Sequence, residues 1–299
     1  MALRSEGTLM RILVVGAGRT LGARIALGLA GQGHDVVATR RSSRDWDAEL
    51  SAAGCQLETL DLVDLDALRG LAEGADRAVI TPILTVSASA IAALAAAGIG
   101  RGVTFSSHNV TVVGDDPVYD ALRRAEAEVS AAAPGWTILR PTMIYGGGDQ
   151  NLSKLMGWLA KSPIAPFPGS GKALQHPIHV EDLAEIAASL ALSDTSPMGP
   201  VSVGGPDTVS YRALVDLAKS AIGSRALVIG CPVPILSALA RLARLVGVDL
   251  ASPSQLARID KDKHVSGDTP LPEGVAPQID LRTGLAKLAS ELGLTPPDH

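Results

Sequence analysis

Three glycines, Gly16, Gly18 and Gly22, fall within VVGAGRTLGARIA, residues 14–26, between a β-branched run and a segment of helical apolar spacing. No other feature constrains the fold as strongly. Glycine lets a chain turn sharply from a strand into a helix and brings its backbone close to a ligand. The helix beyond it presents free N–H groups and the positive end of its dipole, a combination that suits a phosphate group. A strand, a tight turn and a helix in that order open a β-α-β unit, whose strands are parallel. The rest of the N-terminal half keeps the alternation. Strand-like runs at residues 11–15, 34–39, 57–61, 77–81, 102–106 and 136–140 are separated by helical spacing at 21–31, 65–71, 86–97 and 119–132. Continuous apolar strands of this kind predict a doubly wound α/β fold, a parallel sheet covered by helices on both faces.

After Pro141 the pattern changes. A glycine-rich loop, YGGGDQN, precedes a helical segment at 152–161 and a proline-rich stretch, SPIAPFPGSGK. A helix is expected to start at Glu181 or Asp182, followed by a strand in PVSVGG and a helix in VSYRALVDLAKSAIG. The expected division is a dinucleotide-fold domain of residues 10–145 with about 172–205. The remainder, 146–171 with 206–299, forms a small, mostly helical lobe for a substrate or partner.

Aromatic residues make up 3% of the 299 and the formal net charge is −5, which argues against base stacking and against a nucleic-acid partner. Cys55 and Cys231 lie far apart with no CxxC, so both are expected as reduced thiols, with no metal site. The opening MALRSEGTLM lacks the apolar run of a signal peptide, and a cytoplasmic protein is expected. The most apolar window, residues 81–100, reads as a strand end and a buried helix. An amphipathic segment at 232–248 sets Arg241 and Arg244 against a leucine face, and suits packing on the protein itself or on a partner better than a membrane surface.

The second strand ends in ATRR, which bears on the choice of dinucleotide. Sites for NAD place Asp or Glu about 20 residues beyond the glycine loop, on the ribose 2′-hydroxyl. Here Arg40, Arg41 and Arg44 stand at the strand end instead, and Arg19 lies within the loop. Guanidinium groups complement a 2′-phosphate by charge-assisted bonds, so NADP(H) is expected over NAD(H). Gly16, Gly18, Arg19, Thr20, Leu21 and Gly22 would line the pyrophosphate, and Thr81 and Pro82 would end a strand at the cofactor edge.

With these residues in place the chain resembles the short-chain dehydrogenase/reductase superfamily, most closely its extended and atypical branches. Those branches include nucleotide-sugar epimerases and dehydratases, NAD(P)H-binding regulators and the nucleotide-binding accessory subunit of respiratory complex I. The likeness covers about residues 10–223. It is carried by GAGRTLG, by LDLVDLDAL at 60–68, by GVTFSSHNV, by WTILRPTMIYGGGD and by HPIHVEDLAEIAA. The resemblance implies that Asp61 and Leu62 face the adenine and that Pro141, Thr142 and Met143 pass near the nicotinamide. It implies a serine that bonds the substrate oxygen, Ser106 or Ser107, and a tyrosine that exchanges its proton, Tyr119. The family's lysine slot is Arg123 by spacing, with Arg124 its neighbour. The serine-to-tyrosine segment is shorter than the family's.

Tyr119 and Arg123 are four apart and share a helix face. A cation favours tyrosinate, but arginine does not release its proton and cannot relay one. Tyr119 therefore reads as an acid–base group, as a cofactor-lining residue, or as a structural one. His108 and Asn109 follow the serines at the sheet edge. His179 reads as structural, and Arg140 as a buried ion-pair partner. The implied activity is hydride transfer on a small carbonyl or carbinol substrate, by reduction, epimerisation or dehydration. The alternative is a non-catalytic NAD(P)H-binding sensor or complex-stabilising module. A second copy of the chain or another protein is an expected partner.

Overall fold

The computed structural model describes residues 9–43, 45–232, 234–236, 238, 261–267 and 269–294. Strands β1 (Arg11–Val15), β2 (Asp35–Arg40), β3 (Gln56–Thr59), β4 (Arg77–Ile80), β5 (Gly102–Phe105) and β6 (Thr137–Pro141) lie in one sheet. Its order is β3-β2-β1-β4-β5-β6, and a seventh strand, described below, pairs outside β6. Every pairing in it is parallel. Alternate residues of β1 face opposite sides, as the strand pleat requires. Ile12 and Val14 enter one core and Leu13 and Val15 another.

Helices α1 (Thr20–Gly31) and α2 (Asp47–Ala52) cover the first face. Helices α3 (Leu65–Ala72), α4 (Leu84–Ala96) and α6 (Pro117–Ala132) cover the second, and α5 (Asn109–Val112) is a short turn before α6. The apolar window at 81–100 is a strand end followed by α4, whose Leu84, Ile91 and Leu94 are buried. Helix α6 starts where Asp116 accepts a hydrogen bond from Val118 N and Pro117 takes the first position, where its missing N–H costs nothing.

Beyond β6 the chain leaves the sheet through β7 (Ile144–Tyr145), α7 (Leu152–Lys161), β8 (Ile164–Pro168) and β9 (Leu174–Gln175). It returns through β10 (Ile178–His179) to α8 (Val180–Leu192), which packs on α1, and to the seventh sheet strand, β11 (Gly199–Val203). It leaves again through β12 (Val209–Ser210), α9 (Tyr211–Ala221) and β13 (Leu227–Cys231), which pairs with β8. The last helix is α10 (Leu281–Glu291). A third core joins Leu152, Met156, Phe167, Leu214, Val228 and Leu285 in the smaller, mostly helical lobe. The fold is thus of the Rossmann type, with a C-terminal helical lobe.

Among the described residues no helix is long and apolar enough to cross a membrane. Of the amphipathic segment 232–248, all but residues 232, 234–236 and 238 lie outside the described residues.

Candidate functional site

The parallel strands deliver their C-terminal ends to one edge, where ligands bind in folds of this kind. At β1 the chain turns through 16–19 and α1 begins at Thr20. Gly16 has φ +93°, and a Cβ there would lie 2.4 Å from Thr81 Oγ1 and 2.9 Å from Pro82 Cδ. A Cβ on Gly22 would lie 2.4 Å from the Gly16 carbonyl oxygen. Neither position admits a side chain. Gly16 N and Ala17 N donate to Thr39 O at 3.1 and 2.8 Å, and Thr81 Oγ1 donates to Val15 O and Gly16 O at 3.1 and 3.2 Å. The turn is held in shape by β2 and β4, so a ligand would not have to order it.

Arg19 is the N-cap of α1, with extended backbone, no capping side-chain bond and no acidic residue in the first turn. The helix therefore keeps its N-terminal N–H groups for another acceptor. Arg19 is exposed, while Gly18, Thr20 and Leu21 are half-buried. The glycine-rich stretch after β7 closes over this end: a Cβ on Gly148 would lie 3.0 Å from Thr20 Oγ1. Gly147 N donates to Glu291 Oε2 at 2.9 Å, which brings α10 to the same place. The α1 end suits the pyrophosphate of a dinucleotide, because it offers main-chain donors and no carboxylate in its own first turn, while Glu291 of α10 lies beside it against Gly147.

The tips of β2 and β3 lie beside the turn. Arg40 ends β2, and its Nε donates to both oxygens of Asp47, at 2.7 and 2.8 Å, while Nη1 donates to Glu58 O at 3.3 Å. Arg41 is exposed, and Arg44 lies outside the described residues. Asp61, exposed one residue past Leu60, accepts from Val63 N at 3.3 Å, with half-buried Leu62 between them.

Further along the edge, Ser106 is buried and its Oγ has no hydrogen-bond partner among the described residues. Ser107 Oγ accepts from Asn109 N at 3.3 Å. Tyr119, on the first turn of α6, is 7% exposed and accepts from Asn109 Nδ2 at 2.9 Å. The Arg123 guanidinium is committed elsewhere. Nη1 donates to Val110 O and Val113 O at 2.7 and 3.1 Å, and Nη2 donates to Asp120 Oδ1 at 2.5 Å. It caps the C-terminal end of α5, where a cation also meets the negative end of the helix dipole. Arg124 borders a shallow groove between α4 and α6.

His108 Nδ1 sits 3.0 Å from Ser202 Oγ, and Nε2 is buried. Burial holds its imidazole below the ordinary range. His108 N donates to Pro141 O at 2.9 Å, Thr142 N donates to Val203 O at 3.0 Å, and the Thr142 hydroxyl donates to His176 O. Arg140 pairs with buried Glu126 at 2.5 Å, and His179 Nδ1 accepts from Glu181 N at 3.3 Å to cap α8.

A protein-family model described as NAD(P)H-binding matches residues 16–191, from the glycine turn through α8 and over more than half of the chain. The chain belongs to the NAD(P)H-binding family. It has the fold of the extended short-chain dehydrogenase/reductase branch that the sequence motifs indicated. The crystal structure of UDP-glucose 4-epimerase from Thermotoga maritima matches with a TM-score of 0.70 at 13% identity, over 94% of this chain and 98% of that one. By sequence, the chain is 28% identical over 177 residues to NADH dehydrogenase (ubiquinone) 1 alpha subcomplex subunit 9, mitochondrial, of Arabidopsis thaliana. That match takes in 58% of this chain and 44% of the relative. An uncharacterized protein of Mycobacterium tuberculosis is 27% identical over 238 residues, 75% of this chain and 24% of the relative. The chain thus spans less than half the length of these curated relatives.

Two features of this family member's site were not read from the sequence. Asn109 bonds Tyr119, although HNVTVV is β-branched and gives no hint of the turn that brings them together. Asp47 grips Arg40 from the start of α2, and the only sequence signal is a carboxylate near the start of DAELSA, too short a stretch for its helical period to show.

Proposed function

We propose that the chain binds NADP(H) in preference to NAD(H) and acts as an oxidoreductase or epimerase/dehydratase on a small carbonyl or carbinol substrate. The observation that carries this reading is the glycine turn at the sheet edge, closed to side chains at Gly16 and Gly22 and leading into an α1 end without a side-chain cap. Gly16, Gly18, Thr20, Leu21 and Gly22 would hold the pyrophosphate. Thr81, Pro82, Pro141 and Thr142 would flank the nicotinamide half, and Asp61 and Leu62 the adenine. Arg19 and Arg41 would supply positive charge for a 2′-phosphate, with Arg40 beside them in its pair with Asp47. The bound dinucleotide would accept or donate hydride.

In this reading the chain's own groups hold the substrate and move its proton. Ser106 offers a buried hydroxyl with no partner among the described residues, suited to a substrate oxygen. Tyr119 would exchange the proton, its hydroxyl oriented by Asn109. Ser107 and Arg123 act by shaping the segment between β5 and α6 that carries both. The proposed division is residues 10–145 with about 172–205 for the nucleotide, and 146–171 with 206–299 for the substrate or partner.

A second reading, a non-catalytic NAD(P)H-binding module that stabilises a protein complex, is favoured by one observation. The Arg123 Nη atoms, in the family's lysine slot, are bonded to the carbonyls around α5 and to Asp120. Likeness to a complex I subunit agrees with it. Fluorescence titration with NADPH and NADH at fixed salt tests the shared part. Binding of neither would end both readings. A carbonyl-substrate screen with Tyr119→Phe as control separates them: lost turnover with intact nucleotide binding supports the enzyme, and no turnover in either protein supports the module.

A further inference from the structure

The tip of β2 is not the open pair of arginines that ATRR suggests. Arg40 and Asp47 expose 15% and 19% of their side chains, and the carboxylate takes both bonds from Arg40 Nε. Asp47 is itself held, since Ser43 Oγ donates to Oδ2 at 2.8 Å. Arg40 is further fixed by the Glu58 carbonyl on β3. At a distance of several ångströms this pair carries no net charge. A phosphate that approached Arg40 would meet Asp47 alongside it. Arg41, by contrast, is exposed and has no ion pair among the described residues. Gly16 N and Ala17 N are tied to Thr39 O, so the glycine turn and the β2 tip are neighbours in the folded chain.

From this we infer that Asp47 sets the discrimination between the two dinucleotides. It competes with a 2′-phosphate for Arg40, and leaves Arg41, with Arg19 in the glycine turn, as the charge open to that phosphate. A ribose 2′-hydroxyl bears no charge and is indifferent to the competition. Asp47 thus lowers the preference for the 2′-phosphorylated cofactor below what the arginines alone would give. No acidic residue occupies the β2 tip in sequence, but α2 returns one there. The inference rests on the NADP(H) reading above, and names the residue that tunes it.

The test is binding by the full chain, followed by nucleotide fluorescence. NADPH and NADH are titrated into wild type, Asp47→Asn, Arg40→Ala and the double variant. Adenosine 2′,5′-bisphosphate and AMP, as competitors, isolate the 2′-phosphate contribution. Asp47→Asn keeps the shape and one acceptor oxygen but removes the charge. It should tighten NADPH about fivefold and leave NADH within about twofold. The gain should shrink when Arg40 is alanine, because part of it acts through the contact that the two residues share. Asp47→Glu, which keeps the charge, should stay near wild type and guards against a fold defect in the asparagine variant. Unchanged or weaker NADPH binding by Asp47→Asn overturns the inference, as does an equal gain in the Arg40→Ala background. Wild type that binds neither nucleotide overturns the NADP(H) reading and this inference together; wild type that binds while Asp47→Asn does nothing overturns this inference alone.

Discussion

Gly16 shows how much one position can demand. Its φ of +93° strains any L side chain, and a Cβ would also overlap Thr81 and Pro82. Gly16→Ala should cost about 1–3 kcal/mol of stability. It should also weaken NADPH at least about tenfold, since the turn must move away from the position that aims the α1 N–H groups. Thermal denaturation and fluorescence titration read the two effects separately. The histidines make a second residue-scale prediction. Burial is the first cause holding His108, His176 and His179 below their ordinary value of 6.5. As pH falls past that value the unfolded chain takes up protons that the folded chain refuses. The stability they confer is complete above it and is lost as pH drops through the lower folded values. The melting temperature should fall between about pH 7 and about pH 5. His179→Asn, which keeps a capping acceptor for α8, should flatten that slope. Some residues could be placed from sequence and some could not. Gly16 was legible because a glycine after a strand has few reasons to be there. The partners of Arg40 and Arg123 were not, because a charge does not announce which of several nearby acceptors the fold will bring to it.

At the level of elements, α10 is the piece that joins the lobe to the nucleotide edge. Lys287 and Arg24 share Glu181 at 2.8 and 3.1 Å, and Glu291 accepts from Gly147 N. Packing beneath is close: a Cβ on Gly284 would lie 2.1 Å from the Tyr145 hydroxyl. That hydroxyl is buried with no partner among the described residues, and burial pushes it well above the usual tyrosine range. Gly284→Ala should therefore destabilise by about 1–3 kcal/mol through overpacking. Tyr145→Phe removes an unsatisfied polar atom and should be neutral or stabilising by about 1 kcal/mol. Combined, the two should be less harmful than Gly284→Ala alone, a coupling that urea denaturation of the four proteins would measure. The apolar strands β1, β2, β4, β5 and β6 were readable because burial on both faces makes each a continuous apolar run, and the helices because burial on one face imposes a repeat. The two-residue strands β7, β9, β10 and β12 were not. They are defined by partners distant in sequence, not by any repeat of their own.

For the whole molecule, the order of elements in the chain differs from their order in space. Helix α8 packs on α1, and β11 pairs with β6, although both follow α7 and β8 of the lobe. A single proteolytic cut between residues 146 and 171 should therefore give two fragments on a denaturing gel that still migrate as one species under native conditions. Fragments that separate without denaturant would contradict the arrangement. The alternation of strands and helices in the sequence was enough to find the sheet, and assigning about residues 172–205 to the nucleotide domain anticipates the return, although HPIHVEDLAEIAA alone reads as a helix wherever it packs. Among the described residues the chain passes between sheet and lobe after β6, before α8 and after β11, and Leu271 and Val275 pack back on the first core of the sheet before α10. One linker could act as a free pivot, but several tethers anchored at different points resist rotation about any common axis. Whatever enters between the two parts must be met by side-chain shifts and slight sliding, a shear of packed helices, and not by the opening and closing of a jaw.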